Sequence, residues 1–202
     1  MTRSLPNIPQ GLRVGLLGGS FDPPHQGHVA ITKAALQRFD LDQLWWLVSP
    51  GNPLKGHAPA KMARRIKAAQ EIMQHPKVRI SAAELQLGTR YTAETLAALI
   101  RRYPQVRFTW LMGADNLAHF HRWKDWRHIM ETVPVGVIAR PGDRIAARLS
   151  PAAKIYRSSM LRGGQSRLLS GAAAPRWCFI NLPMVDESSS RIRSAGEWRV
   201  AE

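Results

Sequence analysis

Acidic residues are scarce in this chain: 14 Asp and Glu stand against 29 Lys and Arg over 202 residues, a formal net charge of +15. So basic a balance raises nucleic-acid binding as a class, but the charge is unevenly spread. Residues 140–176 hold eight basic residues against Asp143 alone, so nearly half of the excess lies in one segment. A site for phosphorylated small molecules draws on the same positive potential, which raises the local concentration of anions. No RNA-binding fingerprint of the glycine-aromatic type occurs, so a nucleic-acid partner is not expected. Cysteine is scarcer still. Cys178 is alone, which excludes an intrachain disulfide and fits a reducing compartment. No stretch approaches the roughly 20 apolar residues that cross a bilayer, and the apolar run after the first prolines is too short for a signal-peptide core. The expected location is the cytoplasm, with no membrane partner. Internal repeats, heptads and low-complexity tails are also lacking. With 45% apolar residues, the chain can build one substantial core and is short for two domains plus a linker, so residues 1–202 are read as a single domain.

What the sequence does have is a loop, Gly18-Gly19-Ser20-Phe21-Asp22-Pro23-Pro24-His25-Gln26-Gly27-His28. Before it, residues 14–17 are a continuous apolar run that predicts a buried strand. After it, residues 30–39 carry apolar residues at helical spacing. The glycines lack a Cβ, so the backbone can turn and lie against a ligand. The two prolines hold off the helix until close to Gly27. A helix N-terminus presents unpaired N–H groups and partial positive charge to an anionic oxygen. His25 and His28, three residues apart, share one side of that first turn and aim at the same anion. A zinc site needs three or four ligands, and no third stands at ligand spacing nearby, so no metal ligands are assigned within the chain.

Further strands are expected over residues 43–48, 78–81, 106–112, 133–139 and 177–182, with helices over 61–74, 93–103 and 119–130. On the helix of residues 61–74, Met62, Ile66, Ala69, Ile72 and Met73 form the apolar stripe, with Arg64, Arg65 and Lys67 placed elsewhere. Residues 148–175, rich in Ala, Ser, Gly and Arg, resist assignment. The alternation predicts an α/β fold, a doubly wound parallel sheet with its site at the strands' carboxyl ends.

The loop of residues 18–28 resembles the signature of the bacterial nicotinate mononucleotide adenylyltransferases, within the nucleotidyltransferases that share an H-x-G-H turn. Further matches are spread along the chain. Lys55, after Asn52-Pro53-Leu54, resembles the family's N-P-x-K lysine. Tyr91-Thr92-Ala93-Glu94-Thr95-Leu96 resembles Y-T-x-x-T-L, and Gly113-Ala114-Asp115 the family's G-A-D. Residues 186–193 resemble I-S-S-T/S-x-I-R, with Glu187 where isoleucine is expected. The resemblance implies a Rossmann-like nucleotidyltransferase fold and transfer of AMP from ATP to nicotinate mononucleotide, giving the dinucleotide and pyrophosphate.

The same resemblance implies site roles. Gly18, Gly19, Ser20, Phe21, His25, His28, Lys55, Asp115, Ser188, Ser189, Ser190 and Arg193 would bind ATP, with His25, His28 and Arg193 acting on the transferring phosphates. Thr92, Trp123 and Lys124 would meet the acceptor, Trp123 by stacking on the pyridine ring. Lys124 stands where the family often has tyrosine. Each position also has a structural reading: Lys55 as a solvated loop lysine, Thr92 as a helix cap, Asp115 as a cap, Trp123 as core. Magnesium would arrive bridging the phosphates, since no acidic cage for it is seen. The competing functions are another small-acceptor nucleotidyltransferase, of phosphopantetheine or glycerol-phosphate type, and a basic RNA-binding protein that uses residues 140–176.

Overall fold

Seven strands pair into one sheet: β1 (Arg13–Gly19), β2 (Gln43–Val48), β3 (Val78–Ser81), β4 (Arg107–Gly113), β5 (Val135–Ala139), β6 (Met160–Leu161) and β7 (Trp177–Asn181). The structure is a computed structural model that describes residues 5–51, 58–139, 144–182, 189–196 and 198. Strand order is β3-β2-β1-β4-β5-β7-β6, and every pairing is parallel. The chain builds outward from β1 to β3 and then returns to place β4 on the other side of β1. That reversal opens a crevice beyond the carboxyl ends of β1 and β4, where open α/β sheets bind ligands.

The helices are α1 (Gln26–Arg38), α2 (Met62–Ile72), α3 (Ala83–Leu87), α4 (Thr92–Arg102), α5 (Ala114–His119), α6 (Trp126–Thr132), α7 (Arg144–Arg148), α8 (Pro151–Ile155) and α9 (Ser189–Ser194). Among the described residues none is long and apolar enough to cross a membrane. β1, β2, β4 and β5 are apolar and buried almost throughout because the sheet is covered on both faces. One face packs against Leu96, Leu99, Leu117, Phe120, Ile129 and Tyr156. The other packs against Val29, Ile31, Ala35, Ala69 and Met73. Each such large side chain taken out of water contributes about 1.5–3 kcal/mol.

Two polar ties fix the frame. Asp42, at the start of β2, accepts from the backbone N–H and the guanidinium of Arg13 at 2.8–3.1 Å. Those bonds hold the Asp42 carboxyl below its ordinary range. Within the core, Trp46 Nε1 donates to Thr32 Oγ1 at 2.7 Å, joining β2 to α1.

The expected helix over residues 119–130 is in fact broken. α5 ends at His119, a 3-10 turn covers Phe120–Arg122, and α6 begins only at Trp126. Asp125 adopts a left-handed φ of 53° at the break, which turns Trp123 and Lys124 out of helical register. Residues 148–175, which resisted assignment, run from the end of α7 through α8, a 3-10 turn (Arg157–Ser159), the two-residue edge strand β6 and a long 3-10 stretch (Gly163–Gly171). Their anchors are Tyr156 and Trp177: Trp177 Nε1 donates to the Tyr156 carbonyl at 2.8 Å, and the Tyr156 hydroxyl donates to Glu131 at 2.6 Å.

Candidate active site

β1 delivers its last glycines to a cleft of ≈ 610 Å³. A Cβ on Gly18 would lie 2.4 Å from the Trp110 indole on β4, so glycine is needed here for sheet packing as well as for approach to a ligand. Gly18, Gly19 and Ser20 line the cleft, and His25 and His28 follow them.

The two imidazoles form the start of α1. His25 is its N-cap, with extended backbone, and its Nδ1 accepts the N–H of Gly27 at 3.1 Å. Nδ1 of His28 accepts the N–H of His25 at 3.2 Å. Each Nδ1 is therefore an acceptor, which leaves the proton of the neutral ring on Nε2. The ring centroids are 4.0 Å apart.

Phe21, expected among the residues that bind ATP, keeps its ring in the core. It has a left-handed φ of 46°, is 1% exposed, and does not line the cleft. Its ring stacks on Trp46 at 4.7 Å and touches the His28 ring at 4.7 Å. The ring backs the histidine.

Arg65 was misplaced by the sequence reading. It is 1% exposed, and its guanidinium donates to the carbonyls of Ala60 at 2.7 Å, Ser20 at 2.6 Å and Ser49 at 2.8 Å. It ties the ends of β1 and β2 to the approach to α2. Spacing held the signal, because position 65 falls with 62, 69 and 72 on the buried stripe. Burial lowers its pKa from the usual guanidinium value, and the carbonyls compensate for lost water.

α9 is stitched to the same loop. Ser189 Oγ donates to the Pro23 carbonyl at 2.9 Å. Arg193 donates to the Asp22 carbonyl and, at 3.3 Å, to Ser190 Oγ. The Asp22 carboxylate accepts from Trp198 Nε1 at 2.7 Å. Ser189 and Ser190 line the cleft, and Arg193 is not among the lining residues. Lys55 and Ser188 lie outside the described residues.

The opposite wall comes from the start of α4 and the break before α6. Thr92 lines it as the first residue of α4, not as its cap, which is Tyr91. The Glu94 carboxylate reaches back to the N–H groups of Arg90 and Tyr91, both at 3.3 Å. Lys124 Nζ pairs with Glu94 at 3.0 Å and sits 4.4 Å from the Tyr91 ring centroid. Trp123 lines the cleft while packing edge-on against Trp110 and Phe120. Asp115 also lines it, and its carboxylate folds back toward Gly113: a Cβ there would lie 2.3 Å from Oδ1. Asp115 thus enters the cleft from the first turn of α5, whose N-cap is Gly113 with no side-chain cap bond, so the cap reading of Asp115 does not hold.

Sequence reasoning missed Glu84, Arg90 and Arg122, which also line the cleft. Glu84 is buried, and burial alone pushes its carboxyl up to about 7. The cleft accordingly joins an anion-binding helix start to an aromatic wall carrying several cations. Such a site can hold two nucleotides with their phosphates meeting between them.

The cytidylyltransferase-like family profile matches residues 16–195. This chain belongs to the cytidylyltransferase-like family. Relatives narrow the class: it is 69% identical to the "Probable nicotinate-nucleotide adenylyltransferase" of Ruegeria sp. (strain TM1040), over 93% of this chain and 99% of that one. It is 60% identical to the protein so named in Ruegeria pomeroyi, over 100% of this chain and 95% of that one. The fold is that of the Plasmodium falciparum nicotinic acid mononucleotide adenylyltransferase complexed with NaAD, with TM-score 0.68 at 17% identity, covering 90% of this chain and 82% of that chain.

Proposed function

We infer that this chain is a nicotinate-nucleotide adenylyltransferase, which moves the adenylyl group of ATP to nicotinate mononucleotide and releases pyrophosphate. One observation carries the reading: the cleft at the β1–β4 crevice joins the paired imidazoles at the start of α1 to Trp123 and Thr92 opposite. The names of its relatives agree.

In the reaction a phosphate oxygen of the mononucleotide attacks the α-phosphorus of ATP. The new P–O bond forms as the bond to the β-phosphate oxygen breaks, and pyrophosphate leaves with that electron pair. The attacking phosphate is already ionised near neutral pH, so positioning and charge stabilisation supply the catalysis. Nε2–H donors of His25 and His28 and the N–H groups at the start of α1 face charge spread over the phosphates. Ser189 and Ser190 offer hydroxyls from α9. Among the described residues no three His, Cys, Asp or Glu are grouped to hold a metal. Magnesium is proposed to enter on the ATP phosphates, which supply most of its ligands, and offset their charge. The buried Cys178, its thiol pushed up to about 11 by burial, suits a reducing cytoplasm.

The test is pyrophosphate release with ATP and magnesium across nicotinate mononucleotide, nicotinamide mononucleotide, phosphopantetheine and glycerol phosphate. Release with nicotinate mononucleotide foremost is expected. Release only with another acceptor, or a salt-sensitive RNA shift without pyrophosphate, would overturn the reading.

A further inference from the structure

Two acids line the cleft among the described residues, Asp115 and Glu84, and the transfer chemistry gives Glu84 no task. It sits in the first turn of α3 and is 7% exposed. α3 packs on β2 and α4. β2 brings no charged side chain. From α4, Glu94 is taken by Lys124 and the Arg90 and Tyr91 amides, and Arg101 and Arg102 belong to its far end. Burial is the single influence on its titration, and it disfavours the charged form. A buried carboxyl without a counter-charge is costly once ionised, and perturbed acids in clefts mark functional positions.

A pyridine mononucleotide supplies what is absent. Its phosphate and ring carboxylate are anions, and the cleft offers Arg90, Arg122 and Lys124 to anions. The ring nitrogen is a quaternary cation that can neither donate a hydrogen bond nor lose a proton. It can be met only by an aromatic face or by a negative charge. We propose that Glu84 is the counter-ion for this cationic ring and makes the enzyme select the oxidised, pyridinium form of its acceptor over the neutral dihydropyridine form. The proposal rests on the acceptor reading above. A cation brought beside Glu84 favours its carboxylate, so acceptor binding near neutral pH expels a fraction of a proton.

The test compares catalytic efficiency for nicotinate mononucleotide and its 1,4-dihydro form in wild type and Glu84→Gln. Wild type is expected to prefer the oxidised ring by about tenfold or more, the ratio equivalent to one pK unit of differential interaction. In Glu84→Gln that ratio falls toward unity while the KM for ATP holds. Calorimetry of acceptor binding in two buffers of different ionisation enthalpy, near pH 7, should show proton release in wild type and none in Glu84→Gln. An unchanged ratio in the folded variant, or equal proton release, would overturn the role of Glu84 and leave the acceptor reading standing. No pyrophosphate from either mononucleotide with wild type would instead overturn the acceptor reading, and this role with it.

Discussion

Nδ1 of His28 accepts the backbone N–H of His25 at 3.2 Å, so the second histidine of the loop fixes the first. A capping box of Ser or Thr with Glu would satisfy the same amides. In the proposed reaction the imidazoles would do so and also act on the phosphates through Nε2. His28→Ala should lower turnover by about 100-fold, the usual loss when a donor to transition-state charge is removed. Loss of the cap bond should cost only about 1 kcal/mol of stability. A folded variant that turns over normally would take the pair out of the phosphate site.

Arg65→Lys should fold with a lowered Tm and raise the KM for ATP several-fold. An ammonium cannot span the carbonyls of Ser20, Ser49 and Ala60 as the planar fork does. Arg65→Met leaves these buried carbonyls unpaired, at roughly 1–3 kcal/mol for each. Thermal melts and ATP titrations check both. An Arg65→Lys protein of lowered Tm whose KM for ATP is unchanged would make the residue a strut with no bearing on the loop's geometry.

Arg65 also marks how far the sequence could be read. The loop of residues 18–28 was legible because glycine and proline constrain the backbone locally and histidine is chemically specific. The positions of β1 to β5 and of β7 followed from the apolar runs, whereas the two-residue β6 did not. Arg65 was missed because its partners are carbonyls distant in sequence, which no residue pattern encodes. The break at Asp125 was invisible for a similar reason: Phe120, Trp123, Trp126 and Ile129 keep a helical period, yet Phe120, Trp123 and Trp126 pack edge to edge around an irregular turn. Residues 148–175 fold through short elements anchored by Tyr156 and Trp177, below the length at which periodicity speaks.

Arg193→Lys should weaken ATP use, since the guanidinium holds the Asp22 carbonyl and Ser190 Oγ together and a lysine cannot do both. Steady-state kinetics with varied ATP decide it. An unchanged KM and turnover would confine Arg193 to the surface of α9.

Glu84 gives the free enzyme a pH dependence of known sign. Its folded pKa, about 7, lies above the ordinary 4.5, so the folded state holds the proton more tightly than the unfolded one. Its contribution to stability is whole below about pH 4.5 and is lost as pH rises through 7. Glu84→Gln removes that loss, so the variant should melt higher than wild type at pH 8, the difference in stability being on the order of 3 kcal/mol, and no higher at pH 4.5. Melts at the two pH values test this, and a gain that is equal at both would mean that Glu84 does not titrate as described.

Lys124 bears on the choice between nicotinate and nicotinamide mononucleotide, which differ by a carboxylate against a neutral amide. The lysine is already paired with Glu94 at 3.0 Å, the two side chains being 50% and 40% exposed. Each raises the charge of the other: the bond holds the Lys124 ammonium above its ordinary pKa and the Glu94 carboxyl below its own. Removing the lysine therefore does two things at the cleft mouth. It withdraws a cation that lines the cleft, and it takes from the Glu94 carboxylate its ammonium partner. Lys124→Ala should narrow the preference for the nicotinate form without altering use of ATP, and Glu94→Gln should widen it by releasing the lysine. The double variant separates the two effects, because coupled neighbours depart from additivity. If Lys124 acts only by covering Glu94, the double variant returns to the wild-type ratio; if the ammonium itself meets the carboxylate, the ratio stays narrowed. Catalytic efficiencies for both mononucleotides in the four proteins decide between these. Equal discrimination in wild type and Lys124→Ala would remove Lys124 from the acceptor site, and a wild-type preference for the amide would overturn nicotinate as the acceptor.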